Sequence, residues 1–331
     1  MTRAWTPDDV LSLMRGFQPA CVLAAGAELD VFGAIGGRRV TAPALAAELR
    51  ADPRALTILL DALASLDLLS KEGGEYAVPL SIAAVLTATG SRSVLAMVRH
   101  QANCLRRWAQ LAAVTRGGAP ADRMPSLLGE EADQASFIGA MHDLAGTTAP
   151  ALVAELGPLT FRRLLDVGGA SGSYTIAFLE AVPGAVATLF DLPAVIPMAR
   201  QRVAEAGLAD RVTFAPGDFY VDPLPTGADF AWISAIVHQN SREQNRELFA
   251  NVYAALTDRG QVMVRDIVMD ESRTQPPAGA MFAVNMLVGT QGGGTFTFAE
   301  LRDDLSAAGF ADVTLVRQDE WMNSIIRAVK G

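Results

Sequence analysis

Cysteine, lysine and histidine are scarce in this 331-residue chain, which has two cysteines, three histidines and a basic set dominated by arginine. Cys21 and Cys104 support neither a disulfide framework nor a metal site of familiar spacing. No His/Asp/Glu cluster has ligand spacing either, so no metal is expected. The formal net charge is −9 and no basic cluster interrupts it, which argues against nucleic acid or an anionic membrane as partner. Long uncharged apolar runs are missing too: the most apolar early stretch, Phe17 to Ile35, is cut by Glu28 and Asp30, short of the ~18 residues that would span a bilayer. The opening MTRAWTPDDV has no apolar signal core. What is present is foldable: half of the residues are apolar and 19% are charged. These features lead us to expect a cytoplasmic enzyme or regulator of about two domains.

The chain reads as two unlike halves, residues 1–156 and 157–331. The first is helical. Pro19–Phe32 is alanine-rich with leucine and valine at helical spacing. Thr41 is a good N-cap, with Pro43 in the first turn of the helix Pro43–Leu49. A further helix opens at Asp52-Pro53 with Leu56, Leu59, Leu60 and Leu63 on one face. Leu68–Ser70, Gly73-Gly74 and Tyr76–Val78 then read as a hairpin, completing a winged-helix order. Longer helices are expected over Ser93–Thr115 and Asp133–Leu156.

From Arg163 short apolar runs alternate with helical segments, the pattern of a mostly parallel sheet covered by helices, an α/β Rossmann-like class. The first run ends in Asp166-Val167-Gly168-Gly169-Ala170-Ser171-Gly172, a glycine turn that lets backbone approach a ligand. The next run ends at Asp191, whose carboxylate could accept from both hydroxyls of a ribose. The third is followed by Gly217-Asp218-Phe219, another carboxylate suited to an exocyclic amine, with a ring to stack beside it. A dinucleotide fingerprint would place glycines at Ala170 and Ser173; their absence favours an adenosyl sulfonium cation, S-adenosylmethionine, over NAD. Two final strands around Asp319-Glu320-Trp321 suit a reversed last strand.

The ordered motifs Leu164–Tyr174, Phe190–Ile196, Gly217–Phe219 and Val237-His238 resemble the small-molecule S-adenosylmethionine-dependent O-methyltransferases, the caffeate- and acetylserotonin-type enzymes and their bacterial relatives. The resemblance spans nearly the whole chain and implies a class I methyltransferase sheet behind a winged-helix domain that forms a homodimer. It implies Gly168 near the methionine moiety, Asp191 on ribose, and Asp218 with Phe219 around adenine. Asp166, Gly169, Gly172, Leu192, Gly217 and Ser234 complete the expected cofactor contacts.

His238 lies between the fourth strand and a helix announced by Ser241 and Gln244, a capping box. That is the sheet edge where ligands bind. An imidazole with an ordinary pKa near ~6.5 can take a phenolic proton at neutral pH. The family's catalytic histidine falls here, and Asp266, at the next strand end, could fix its tautomer. The family's following aspartate is Gln239, its lysine four residues earlier is Ser234, and its second acid is Thr295. At most half of a two-acid clamp on the histidine is therefore present. Trp108, Phe137, Met141, His142, Phe282, Asn285 and Met286 are candidates to line the acceptor pocket, where methionine adapts to flat ligands.

The sequence favours O-methylation of a small aromatic or polyketide-like hydroxyl. C-methylation, or another use of the same cofactor on a pigment-like ring, stays open. A winged-helix regulator would read DNA through Thr41–Leu66, but Arg50 and Arg54 there are offset by Glu48, Asp52 and Asp61.

Overall fold

The alternation of apolar runs and helical segments after Arg163 builds one seven-stranded sheet, seen here in a computed structural model that describes residues 4–331 except the side chains of residues 142–145 and 147. Its strands are β1 (Arg163–Val167), β2 (Val186–Asp191), β3 (Val212–Pro216), β4 (Ala228–Ser234), β5 (Leu256–Asp266), β6 (Phe310–Arg317) and β7 (Ser324–Lys330), in the order β6-β7-β5-β4-β1-β2-β3. Pairings from β3 through to β5 are parallel, whereas β7 is antiparallel to both β5 and β6. The reversed strand expected at the end of the chain is thus inserted inside the sheet. Five helices belong with it: α1 (Ser173–Ala181), α2 (Ile196–Glu205), α3 (Arg242–Ala255), α4 (Pro277–Gly289) and α5 (Phe298–Ala307).

Side chains alternate across each strand, so the sheet carries two cores. Leu165, Val167, Ile233 and Val264 pack with Phe249 and Val252 of α3 and Leu301 and Leu305 of α5. Leu164, Phe230, Trp232 and Met263 pack with Phe178 of α1 and Val203 of α2. The helix α4 went unread in the sequence because its Ala/Gly/Met-rich run, PAGAMFAVNMLVG, lacks a clear polar face.

Two compact units divide the chain: residues up to Ala109 with Arg123–Asp143, and Gln110–Asp122 with Leu144–Gly331. This division passes through the helix Glu130–Glu155 rather than behind it. In the first unit, Val40–Thr41, Glu75–Ala77 and Ser70–Glu72 form a small antiparallel sheet. It accompanies the helices Ala42–Leu49 and Pro53–Ser65 around buried Phe32, Leu45, Leu60, Leu63 and Tyr76. Three local readings need correction. Pro19–Phe32 is not one helix: the chain turns at Asp30, φ 53°, between Phe17–Glu28 and Val31–Ile35, and aspartate tolerates that left-handed conformation. Ser93–Thr115 breaks at Ala109-Gln110 into Leu95–Trp108 and Leu111–Gly117. Thr41 stands at the N-cap but its side chain makes no capping bond.

The first unit also exposes apolar surface. Val10, Leu11, Leu13, Met14 and Phe17 are each about half exposed or more. The stretch Pro7–Glu28 has mean hydropathy 1.3 and is long and apolar enough to cross a membrane by length and composition. The expectation of an uncharged run passes this stretch over, because Asp8, Asp9, Arg15 and Glu28 fall inside it.

Behind the candidate site, α3 and α5 are joined by charge. Asp304 is fully buried and accepts from Arg242 Nε and Nη2 (2.9 and 2.7 Å) and from Arg246 Nε (2.6 Å). Removing one partner of a buried ionic group leaves the others uncompensated. Asp304→Ala is expected to cost about 3 kcal/mol in denaturant unfolding. Asp303→Ala, which removes an exposed pair with Arg302, should change stability by less than ~0.5 kcal/mol.

Candidate active site at the carboxyl edge of the sheet

The parallel strands end level with one another, so the loops after β1, β2, β3, β4 and β5 share one edge. After β1 the chain turns through Gly168 (φ 67°) and Gly172 (φ 78°), which a side chain would strain. Gly168 N donates to Phe190 O at 2.8 Å, pinning the turn to β2. Gly169 follows within the turn, and a Cβ there would meet the Leu189 side chain at 2.6 Å.

The acidic groups at this edge differ in environment. Asp191 accepts from Ala170 N and Leu192 N, both at 2.7 Å. Burial raises its pKa while those amides pull it back. Leu192 itself is half exposed. Asp218 accepts from Tyr220 N at 3.0 Å, and the Phe219 and Tyr220 rings lie 4.5 Å apart. Gly217, just before them, packs so tightly that a Cβ would meet the Phe190 ring at 2.6 Å. Asp166 is different: it is buried, accepts from the Thr175 hydroxyl at 2.6 Å, and is pushed up by burial to about 7. Its carboxyl is engaged with α1.

β4 leaves the sheet through Ala235, φ 56°, and the short turn Val237–Gln239 follows. There His238 Nδ1 lies 3.0 Å from both oxygens of Asp266, which is 1% exposed and also accepts from Ile267 N. A carboxylate at this distance selects the tautomer in which Nδ1 is the donor, leaving Nε2 as the ring nitrogen turned away from Asp266. The Phe282 ring of α4 meets the imidazole edge-on at 4.9 Å. Asn285 and Met286 follow at helical spacing on the same face of α4.

Two supports of this loop were not read from the sequence. The Tyr220 hydroxyl donates to Asn240 Oδ1, Asn240 Nδ2 donates to Asn245 Oδ1 (3.0 Å), and Asn245 Nδ2 donates to Val237 O (3.0 Å). Both asparagines are fully buried, so this chain ties the loop after β3 to the residue before His238. On the other side Gly294 N donates to His238 O at 2.9 Å, and a Cβ on Gly293 would meet that same oxygen at 2.6 Å. Thr295, standing where the family has an acid, bonds Gly279 O at 3.3 Å. Among the described residues Asp266 is the one acid bonded to His238.

Ser234 bonds sideways. Its Oγ accepts from Arg265 Nη1 at 3.0 Å. Arg265 is 9% exposed, its other contacts are to Asn323 Oδ1 (3.0 and 2.7 Å), and its guanidinium sits 5.2 Å from the Tyr174 ring. Among the described residues the buried Tyr174 hydroxyl has no hydrogen-bond partner. A charge inside the apolar run QVMVRDIVM was the sequence signal for this cluster.

The remaining acceptor candidates belong to the first unit: Trp108 ends the helix Leu95–Trp108, while Phe137 and Met141 lie on Glu130–Glu155. The Phe137 ring lies tilted 5.1 Å from His100, whose pKa burial lowers. The side chain of His142 lies outside the described residues.

The edge of the second unit suits an adenosyl sulfonium ligand on its own donor set. Carboxylates stand beyond β2 and β3 for hydroxyl and amine donors, and a glycine turn follows the adjoining β1. An O-methyltransferase domain matches residues 126–311, and an O-methyltransferase dimerisation domain matches residues 11–95. The 3-hydroxy-5-methyl-1-naphthoate 3-O-methyltransferase of Streptomyces sahachiroi is 31% identical over 98% of this chain and 95% of its own length. The tetracenomycin polyketide synthesis 8-O-methyl transferase of Streptomyces glaucescens is 31% identical over 93% and 92%. The crystal structure of human N-acetylserotonin methyltransferase with S-adenosylmethionine superposes with a TM-score of 0.81 at 26% identity, covering both chains fully.

Asp166 gives the site a pH signature. Its folded pKa of about 7 lies above the ordinary 3.8, so the folded protein holds a proton that the unfolded chain releases. Its contribution to stability is complete below about pH 4 and lost as pH rises through about 7. Relative to Asp166→Asn, the ligand-free wild type should therefore lose unfolding free energy between pH 4 and 8, by on the order of a few kcal/mol. A difference that stays constant across that range in urea titrations would contradict this.

Proposed function

The chain belongs to the S-adenosylmethionine-dependent O-methyltransferase family, and we propose that His238, steered by Asp266, is its proton acceptor. It is an enzyme that methylates a hydroxyl of a small aromatic or polyketide-like metabolite. The observation that carries the assignment of the base is the bond from His238 Nδ1 to Asp266.

When bound, S-adenosylmethionine supplies a methyl group on a sulfonium centre and leaves as S-adenosylhomocysteine. The residues assigned to hold it are Asp191 for the ribose hydroxyls, Asp218 with Phe219 for adenine, and the Gly168–Gly172 backbone between them. His238 Nε2 would take the proton from the acceptor hydroxyl, leaving that oxygen nucleophilic toward the methyl group the cofactor would supply. Asp266 holds the ring in the competent tautomer and compensates the imidazolium that results. Phe282 closes one side of the imidazole, and Asn285 and Met286 extend that wall for a flat acceptor. The sequence also proposes Trp108, Phe137 and Met141 for acceptor binding. With Gln239 and Thr295 in place of further acids, the ring relies on one carboxylate.

The same reading makes residues 1–156 the dimerisation and acceptor-lining domain and 157–331 the catalytic domain. The exposed apolar residues of Pro7–Phe17, beside a matching dimerisation domain, support a homodimer through the N-terminal part. Two free cysteines, one exposed and one buried, suit a reducing cytoplasm.

His238→Ala is expected to lower kcat by about 10²-fold or more with cofactor affinity nearly unchanged. The loss should shrink for acceptors already ionised at the assay pH, and Asp266→Asn should act more weakly through ring orientation. Near-native turnover of His238→Ala on every accepted phenol would remove the base from the mechanism. For assembly, light scattering at micromolar concentration should give twice the 34.9 kDa chain mass, and Leu13→Glu with Met14→Glu should return it to that mass. Dimers that survive the double substitution would place the interface elsewhere.

A further inference from the structure

The Arg265 guanidinium is a buried charge held by neutral groups. Three of its N–H groups bond Asn323 Oδ1 and Ser234 Oγ, and a guanidinium has five such donors. The carboxylates whose charge it feels, Asp266 and Asp319, are committed elsewhere. Asp266 holds His238 and Ile267 N, while Asp319 pairs with Arg317 at 3.0 Å and accepts from Trp321 N. Burial lowers the pKa of Arg265, yet arginine stays charged in proteins. Among the described residues this buried charge has no ionic partner, and such a charge is costly enough to need a reason.

Its position supplies one. Ser234 and Arg265 pair in register at the ends of β4 and β5, so alternation sends Arg265 to the face opposite Asp266 and His238. Tyr174 stands in the first turn of α1, two residues beyond Gly172, and its unpartnered hydroxyl belongs to the ring beside the guanidinium. A ligand running from β2 and β3 across the β1 turn would be carried toward β4 and β5, the strands that hold Ser234 and Arg265. The unused donors of Arg265 together with a phenolic hydroxyl match a carboxylate, which takes paired hydrogen bonds from a guanidinium.

We propose that Arg265 and Tyr174 bind the carboxylate at the amino-acid end of S-adenosylmethionine and S-adenosylhomocysteine. This rests on the cofactor reading above and adds to it a second anchor, on the far side of the sulfur from Asp191. A carboxylate on the methyl acceptor has the same chemistry, and the test separates the two because no acceptor is present.

The experiment is titration calorimetry on the full chain with S-adenosylhomocysteine and with its decarboxylated analogue, 5′-deoxy-5′-(3-aminopropylthio)adenosine. Wild type should prefer S-adenosylhomocysteine by about 30-fold, the size of a charge-assisted bond to a carboxylate. Arg265→Met should abolish that preference, leaving the affinity for the analogue within about threefold. Arg265→Lys should restore part of it. Tyr174→Phe should reduce it by about 3- to 10-fold at an unchanged melting temperature. Equal loss of both ligands in Arg265→Met, or an undiminished preference, overturns the assignment. Should Arg265→Met fail to fold, an unchanged preference in both Arg265→Lys and Tyr174→Phe overturns it as well. A rise in acceptor KM with an unaltered ligand preference assigns the pair to the acceptor and likewise overturns it. No binding of S-adenosylhomocysteine to wild type would instead defeat the cofactor reading beneath it.

Discussion

Parallel pairing between β4 and β5 sets the ends of both strands level, with Ser234 beside Arg265, and the chemistry of the site follows from where that register stops. One residue further on, alternation turns Asp266 to the other face, where it meets a loop displaced from β4 by the left-handed Ala235. That loop carries His238. A slip of one residue would exchange the two faces, sending Arg265 toward the imidazole and the carboxylate toward Tyr174. The His238–Asp266 pair and the buried cation are therefore two consequences of one register.

Once the register is set, the loops need holding. The loop after β4 buries Ile236 and Val237 in the core and is held by polar groups as well: the Tyr220–Asn240–Asn245 chain on one side and the Gly294 amide on the other. Buried amides bonded in series are costly when broken. This arrangement couples the carboxylate loop after β3, which includes Asp218, to the position of His238. The ion cluster around Asp304 acts one step further out, anchoring the start of α3 and thus the far end of the same loop.

Much of the catalytic half could be read along the chain because its cues are local. The glycine turn, Asp191 and Asp218 each follow a short apolar run by a fixed step, and a level parallel sheet brings such steps to one edge. The capping box at Ser241 and Gln244 is present as read, which put His238 on a loop rather than a helix. The helical half was read less well. Whether a helix continues past Asp30 or Ala109 depends on packing against neighbours, and propensity alone runs through both breaks.

The sequence by itself determined the class of fold, the cofactor and the identity of the candidate base, since each rests on a residue type at a short distance from an element boundary. The tertiary structure decided what each group does once there. It turned Asp166 inward onto Thr175 and gave Ser234 to Arg265. It set His238 Nδ1 against an aspartate 28 residues away, and joined Tyr220 to Asn245 through Asn240. Those outcomes depend on contacts between segments far apart in the chain, where burial removes water as the alternative partner and the geometry of two strands selects which donor meets which acceptor.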